Sequence, residues 1–339
     1  MLRETITTRG VTYVGMKCNV KCCFCYYGPV PKGHRDWAPL ERFETEFRMM
    51  KEIGMTDVDI TGGEPSIHPQ IERVINLAAV NGLRPRMITN GLESDVGAWK
   101  DAGLDSLLIS CQSGDKDVHN SMVAGGDWDL TVDTMEECVN HGIPFSVNST
   151  ITKMNHKCQP RLSEFVAGIG ATAHNMIMMN PFCWPKLYAK KNTLYVREWE
   201  AAPYLKEALS LGGSCHRMVR YIAFCRMKGH EHQVMNWYQL PYDDNEWNYM
   251  AWHADYYGML FTPGDYRAIS YHEVSTHYKK GEECFTCAAR DICGGFKERV
   301  YGFDHTFSPR PVPYTGELIE DPLHFWREHN EIHRTEGTK

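Results

Sequence analysis

The sequence has no run of basic residues that could follow a nucleic-acid backbone, although it contains 36 lysines and arginines. Its net charge of -7 comes from acids and bases mixed along the chain, so we expect no nucleic-acid partner. The first ten residues include Arg3, Glu4 and Arg9 and lack the apolar stretch of a signal peptide. Internal repeats and low-complexity tracts are also missing. We therefore expect a cytoplasmic globular protein that does not associate with a membrane.

Cysteine, in contrast, is abundant, with 13 residues in a chain of 339. The odd number argues against a fully paired disulfide framework. In a reducing compartment, clustered cysteines bind metal more often than they form disulfides. Four of them lie between residues 18 and 25 and three between residues 284 and 293. This distribution predicts two metal sites.

Hydrophobic periodicity from residue 11 to about residue 182 predicts a repeated strand–helix unit. Short apolar or β-branched runs alternate with amphipathic stretches in which apolar residues recur every three or four positions. Strands are predicted at 11–16, 58–61, 85–89, 106–110, 144–150 and 176–179, and helices at 40–53, 70–80, 96–102, 130–140 and 162–169. Six such units predict the α/β class and a partial (βα)6 TIM-like barrel rather than an open sheet.

Cys18, Cys22 and Cys25 directly follow the first predicted strand. They should therefore lie at the carboxyl edge of the sheet, where barrel enzymes place their chemistry. The spacing C-x-x-x-C-x-x-C lets three thiolates bind one iron–sulfur cluster and leaves one iron open to a small molecule. The alternatives are a structural zinc site, which needs a fourth ligand from elsewhere, and inert buried thiols. Cys23 breaks the spacing and is interpreted as a buried thiol.

A second motif, TGGEP at residues 61–65, ends the second predicted strand. Consecutive glycines let the backbone approach a ligand closely, and Glu64 supplies an acceptor for an ammonium group. The alternative is a tight turn between strand and helix. The motif is therefore a candidate ligand site next to the cysteines.

Together the two motifs resemble the radical S-adenosylmethionine (SAM) superfamily, whose fold is a partial (βα)6 barrel, and the resemblance covers about residues 11–182. It implies that the three cysteines bind a [4Fe-4S] cluster whose open iron binds the amine and carboxylate of SAM. It implies further contacts with the cofactor or substrate, from Phe24 at the adenine, Gly62, Gly63 and Glu64 at the methionine amine, and Asn90, Ser110 and Asn148. Relatives commonly carry an acid two positions after the strand-four serine, where this chain has Gln112. His119 is expected to be structural.

Cys284, Cys287 and Cys293 resemble the auxiliary-cluster motif of the SPASM and twitch branch of the same superfamily. The pattern alone also suits zinc. No cysteine follows Cys293, so the resemblance implies one auxiliary cluster, expected to be [4Fe-4S], rather than two. Its fourth iron is bound by Cys225 or Cys215, or it is left open.

The alternation of strands and helices stops after residue 183, and residues 217–278 are rich in Trp, Tyr, His and Met. Aromatic side chains together with Asp243, Asp244 and Glu246 suit a polar or cationic substrate, so we predict a substrate lid here. His230 and His232 offer a weaker, metal-binding alternative. We expect three parts: a barrel at 1–182, an auxiliary-cluster and substrate-covering region of the SPASM/twitch type at 183–308, and a C-terminal extension at 309–339.

The resemblance implies an enzyme that reductively cleaves SAM to a 5′-deoxyadenosyl radical, which abstracts hydrogen from carbon. A donor such as a flavodoxin or ferredoxin would supply the electron. We expect a small polar metabolite as substrate, such as a sugar, an aminocyclitol or a nucleoside, with the auxiliary cluster taking the substrate's electron. The alternatives are a peptide maturase and a zinc-stabilised binding protein without radical chemistry. The sequence assigns no general acid or base.

Overall fold

The computed structural model describes residues 7–25, 36–179, 191–250, 278–296 and 310–336. Within these ranges the strands are β1 (Arg9–Tyr13), β2 (Lys21–Cys22), β3 (Asp57–Thr61), β4 (Arg84–Thr89), β5 (Ser106–Ser110), β6 (Val123–Ala124), β7 (Phe145–Ile151), β8 (Ala173–Met178), β9 (His216–Arg220), β10 (Val234–Met235) and β11 (Trp247–Met250). The helices are α1 (Leu40–Glu52), α2 (Ile71–Val80), α3 (Val96–Asp101), α4 (Lys116–Met122), α5 (Trp128–His141), α6 (Gln159–Ile169), α7 (Lys191–Leu194), α8 (Glu198–Leu209) and α9 (His324–Glu336).

Nine strands form one parallel sheet in the order β10-β9-β8-β7-β5-β4-β3-β1-β11. β2 and β6 form a separate antiparallel pair. Parallel neighbours need a crossover connection, and helices supply it between most of the strands. All carboxyl ends of the main sheet therefore meet at one edge.

Side chains on β7 alternate between two environments. Phe145 and Val147 are buried in the core that the sheet shares with the helices, where Phe43 and Phe47 of α1 also lie. Residues 146, 148 and 150 lie on the opposite face and are only half buried. Since strand side chains alternate with period two, the second face of the sheet lines the barrel interior.

Local sequence fixes several helix ends. α3, α4 and α5 each begin after an aspartate, namely Asp95, Asp115 and Asp127, whose carboxylate accepts backbone N–H groups of the first turn. α5 ends at Gly142, which has φ of 66° and adopts the left-handed conformation that favours glycine. The aspartate caps therefore set where these three helices begin, and Gly142 sets where α5 ends.

The sheet does not stop at residue 182. After the six predicted strands, α8 crosses back to β9, and β10 and β11 add one strand at each edge. The expected end of the alternation at residue 183 was wrong, and the sheet crosses the boundary expected there. α8 is hard to predict from the sequence because it contains Pro203. β9 is hard to predict because three of its five residues are charged or ionisable.

β10 and β11 are consecutive in the chain but lie at opposite edges of the sheet, joined only by residues 236–246. This connection touches both sides, since the backbone oxygen of Asp244 accepts from Arg9 of β1 and the carboxylate of Asp243 pairs with Arg220 of β9. The sheet must therefore curve until its edges approach each other. The predicted α/β class and partial barrel are confirmed.

A charge network fills the interior beneath this connection. Asp59 is fully buried and accepts hydrogen bonds from Arg86, Arg9 and the Trp247 indole. Arg86 also donates to Asn245, 2.9 Å away. The network joins β1, β3, β4 and β11.

No helix within the described ranges is long and apolar enough to cross a membrane.

Candidate functional site

The loop that carries Cys18, Cys22 and Cys25, called the cysteine loop, follows β1 at the carboxyl edge. Contacts with β6 and with the end of α4 hold it in place. β2 contains Cys22, which pairs with Val123 of β6, and the N–H of Cys23 donates to the Met122 oxygen over 2.9 Å. Cys18 and Cys25 are exposed, and Cys22 is half buried. The structure therefore places the three predicted ligands on one anchored loop with thiols open to incoming iron.

The thiols of this loop lie within electrostatic reach of each other. Although Cys18 as a whole residue is exposed, the surrounding loop desolvates its thiol and raises its pKa to about 11, and the neighbouring Glu64 and Cys25 act in the same direction. Burial also raises the pKa of Cys22, to which Cys25, Cys18 and Cys23 contribute. Negative charge on several of these sulfurs is therefore unfavourable without a cation. An iron cluster supplies the compensating charge.

Gly62 and Gly63 pack against the backbone that leads into the cysteine loop. The Gly63 N–H donates to the Gly15 oxygen and the Glu64 N–H donates to the Lys17 oxygen, each over 2.8 Å. A Cβ atom at Gly63 would lie 2.0 Å from the Lys17 oxygen. The glycines thus allow the turn after β3 to dock on residues 15–17, a requirement separate from any ligand contact.

Glu64 is buried and connects β3 to β4. Its carboxylate accepts from the Thr89 hydroxyl at 2.7 Å, the Asn90 N–H at 2.8 Å and the Ser66 N–H at 3.0 Å. Burial raises the pKa of Glu64, while these hydrogen bonds act against it. The Asn90 amide in turn donates to Asn19 on the cysteine loop over 2.8 Å. Glu64 and Asn90 therefore hold hydrogen-bond acceptors in fixed positions beside the cysteine loop. Such acceptors suit an ammonium group.

A row of polar side chains crosses the interior face at the next strands. Ser110 of β5 is in register with Asn148 of β7, which is in register with Asn175 of β8. The Oδ1 atoms of Asn148 and Asn175 are buried without a hydrogen-bond partner among the described residues. Sequence reasoning missed Asn175, which lies beside His174 and just before the predicted strand at 176–179. Unpartnered buried acceptors indicate a ligand that donates hydrogen bonds.

Gln112 occupies the position where an acid was expected. Its side-chain oxygen accepts from the Thr150 N–H at 2.8 Å, and its backbone N–H donates to the His119 ring over 3.2 Å. His119 is buried, and burial lowers its pKa to about 4. Gln112 thus connects the loop after β5 to β7, and His119 connects the same loop to α4. This agrees with the structural role expected of His119.

Phe24 lies half buried, next to the third cysteine. It packs against Val20, Met122 and Val123 under the loop, and against Met179 and Leu194 on the other side. Its ring therefore sits between the cysteine loop and the end of β8, beside the space where the resemblance expects an adenine.

The C-terminal cysteines gather around a second cavity. Cys225, Cys284, Cys287 and Cys293 all line it. Cys215 lies elsewhere, buried in the core between sheet and helices. It precedes β9 whereas Cys225 follows it, so a strand rise of about 3.3 Å per residue separates them by the length of β9. The structure therefore places Cys225 on this cavity and Cys215, the other candidate for the fourth ligand, away from it.

Backbone donors face these thiols. Burial raises the pKa of Cys293 to about 11, and backbone hydrogen bonds at Gly295 and Phe224 act against it. The side chains of Lys280 and Arg290 also line the cavity. Within the described ranges, no three His, Cys, Asp or Glu side chains converge closely enough for a single metal ion. Thiols spread around a cavity with amide and cationic neighbours suit a multi-atom iron–sulfur cluster.

Part of the predicted lid, residues 251–277, lies outside the described residues. Within the described part, Asp243 and Glu246 form ion pairs with the buried Arg220. These two carboxylates neutralise an internal arginine, so the expectation that they hold a cationic substrate was wrong. His230 donates to or accepts from Ser210 and Gln233, which accounts for both of its ring nitrogens.

The chain resembles known proteins in sequence over its first half. Residues 12–158 match the profile described as "Radical SAM superfamily". A "Probable GTP 3′,8-cyclase" of Metallosphaera sedula is 29% identical over 48% of this chain and 53% of its own length. A "GTP 3′,8-cyclase" of Clostridium botulinum is 32% identical over 45% of this chain and 47% of its own length. The chain thus spans about half the length of the curated relatives it matches.

Solved structures share the fold more extensively. Streptococcus suis SuiB bound to its precursor peptide SuiA superposes with a TM-score of 0.59 at 13% identity, covering 88% of this chain and 76% of SuiB. SuiB bound to S-adenosylmethionine gives 0.60 at 14% identity, over 88% and 78% of the two chains. The sequence matches to the radical SAM profile and to the two cyclases indicate an enzyme rather than a zinc-stabilised binding protein. The sequence profile, the barrel and the cysteine loop agree, and residues 12–158 form a domain of the radical SAM superfamily, whose members bind a [4Fe-4S] cluster and SAM.

Proposed function

We propose that this radical SAM enzyme abstracts hydrogen from a carbon of a small polar metabolite. Asn175 carries the proposal, because its buried amide oxygen, in register with Asn148 on the interior face, lacks a partner among the described residues. Such acceptors suit hydroxyl or N–H groups of a sugar, an aminocyclitol or a nucleoside. The curated relatives are named for a nucleotide, GTP, so nucleosides and nucleotides are the first class to test.

Each side chain of the N-terminal site has a role in this proposal. Cys18, Cys22 and Cys25 bind the [4Fe-4S] cluster, and Glu64 with the glycine turn receives the methionine amine of SAM. Phe24 packs beside the adenine, and Asn90, Ser110 and Asn148 orient the cofactor. When bound, cluster and SAM supply the 5′-deoxyadenosyl radical, with an electron from a donor such as a flavodoxin or ferredoxin. The barrel positions the substrate and excludes water.

Cys225, Cys284, Cys287 and Cys293 bind one auxiliary [4Fe-4S] cluster in the second cavity. Their common lining of that cavity supports Cys225 as the fourth ligand. A cluster with four protein ligands has no open iron for substrate. Its role is then to accept the electron that the substrate radical loses.

Anaerobic reconstitution tests the proposal. The loaded protein should contain about eight irons per chain and should form 5′-deoxyadenosine when dithionite and SAM are added. GTP, a nucleoside panel and an aminocyclitol form one arm, and an unstructured peptide library forms the other. Deuterium transfer from a labelled metabolite into 5′-deoxyadenosine supports the proposal. Transfer from a peptide alone would point to a peptide maturase instead.

Replacing single cysteines tests the fourth ligand. Cys225→Ala should change the electron paramagnetic resonance (EPR) signal of the auxiliary cluster and make its iron labile to a chelator, because one thiolate is lost. Cys215→Ala is the matched control and should leave both properties unchanged. The assignment fails if Cys215→Ala alters the signal and Cys225→Ala does not.

A further inference from the structure

The C-terminal extension contacts the second cavity. Pro311, Val312, Pro313 and Tyr314 line it together with the four cysteines. The sequence predicts only a C-terminal extension at 309–339 here. Pro311 is buried, whereas the Val312 side chain is 53% exposed, so this short segment has one face on the cavity and one on solvent.

This segment has two backbone donors beside the four thiols. Prolines have no N–H, so only Val312 and Tyr314 can donate. The Tyr314 N–H donates to Cys287 Sγ over 3.3 Å. Val312, two residues earlier, lines the same cavity as Cys225. In an extended proline-rich segment, residues two apart are separated by about 6 Å, which matches thiols at different corners of one cluster.

Several contacts hold the segment in place. The Tyr314 oxygen accepts from the Ala288 N–H at 2.8 Å, between Cys287 and Cys293 in the chain. The Tyr314 hydroxyl donates to Glu231 at 2.7 Å, and Lys228 lies 5.0 Å from the centre of the tyrosine ring. Because the backbone oxygen, the hydroxyl and the ring of Tyr314 all have partners, the direction of the Tyr314 N–H is fixed.

We propose that residues 311–314 are part of the auxiliary-cluster site, where they donate N–H···S hydrogen bonds to Cys225 and Cys287, cover the cluster and raise its reduction potential. The inference rests on the proposed auxiliary cluster. Hydrogen bonds to the sulfurs stabilise the more negative, reduced form, and this favours acceptance of an electron. The C-terminal extension therefore tunes the acceptor and separates it from solvent.

The test removes one N–H at a time in a protein that holds only the auxiliary cluster. In a Cys18→Ala/Cys22→Ala/Cys25→Ala background, Tyr314→Pro deletes the donor to Cys287. Tyr314→Phe keeps that donor and deletes only the hydroxyl. An EPR-monitored redox titration should give a lower midpoint potential for Tyr314→Pro and an unchanged one for Tyr314→Phe.

A second pair of variants keeps the test decisive if Tyr314→Pro does not fold. Val312→Pro deletes the other donor while changing an exposed side chain, and Val312→Ala retains it. Val312→Pro should also lower the midpoint potential, and Val312→Ala should not. Unchanged potentials in both proline variants overturn the inference. An iron content of about four per wild-type chain, with no second EPR signal, would overturn the auxiliary cluster itself.

Discussion

Two buried asparagines near the carboxyl edge have opposite hydrogen-bonding states. Asn155 is fully buried and satisfied, since its amide donates to Gln112 and Thr150 and accepts from Thr152. Asn175 is 6% exposed and its Oδ1 has no partner in the described chain. An unsatisfied buried polar group costs about 1–3 kcal/mol, so Asn175 is a residue kept at the expense of stability.

Replacing each asparagine with leucine separates these states. Asn175→Leu should raise the free energy of unfolding of the cluster-free protein by about 1 kcal/mol, because an unpartnered oxygen is removed. Asn155→Leu, the control, should lower it by about 2–4 kcal/mol, because several partners are left unpaired. Urea unfolding at neutral pH measures both changes.

The same Asn175→Leu protein should still form 5′-deoxyadenosine with dithionite and SAM, while transfer of deuterium from a substrate is lost. If Asn175→Leu destabilises the fold as much as Asn155→Leu does, Asn175 is a structural residue and not part of the substrate site.

The ligand residues differ in how far the sequence could identify them. Cys18, Cys22 and Cys25 lie within eight positions of each other, so spacing alone predicts that they share a loop. Cys215 and Cys225 are both remote from Cys284 in the chain, and only the direction of β9 decides which one reaches the cavity. Only the tertiary structure carries that information, and the same holds for the hydrogen bond from the Tyr314 N–H to Cys287.

At the scale of elements, the turn after β3 and the cysteine loop depend on each other. Gly63→Ala places a methyl group against the Lys17 carbonyl, which is backbone and can move only with the loop. We expect a loss of about 1–3 kcal/mol in the free energy of unfolding and poor loading of the N-terminal cluster. Iron counting and thermal unfolding measure the two effects.

Gly168→Ala is the matched control for this substitution. Gly168 lies in α6, and no atom lies within 4 Å of its added Cβ. Alanine there should be neutral or stabilise the helix by up to about 1 kcal/mol and leave iron content unchanged. Equal iron content in Gly63→Ala and Gly168→Ala would separate the glycine turn from cluster binding.

Most of the elements that surround the site could be predicted because their patterns are strong. The strand at 106–110 and the helix at 40–53 differ from the structure by no more than one residue. β2 and β6 could not be predicted, since two residues each have no periodicity and exist only through their mutual pairing. α4 is seven residues long and mostly polar, and short helices depend on packing more than on pattern.

At the scale of the whole molecule, the Asp59 network holds the curved sheet together. Burial alone would raise the pKa of Asp59, but Arg86 and Arg9 hold it below its usual value. A lowered pKa means that Asp59 contributes stability above about pH 4, and that this contribution is lost as the pH falls through the lower value in the folded protein. Asp59→Asn should cost about 3–5 kcal/mol at neutral pH, because Arg86 stays buried without its counter-charge.

Urea unfolding from pH 7 down to pH 3 tests this prediction. The wild-type free energy of unfolding should fall more steeply below pH 4 than that of Asp59→Asn. Asp129→Asn, which removes an exposed pair with Lys116, should change stability by no more than about 1 kcal/mol. Parallel pH curves for wild type and Asp59→Asn would contradict the assigned charge state.

The closure of the sheet also has a consequence for the order of folding. Thr7 and Glu246, which share a hydrogen bond next to the β1–β11 ladder, are 239 residues apart in the chain. Contacts of such high sequence separation form late, because loop closure must precede them. During synthesis, β1 therefore waits with one open edge until β11 has left the ribosome. A fragment ending near residue 182 would keep that edge open permanently and would be prone to pair with other chains.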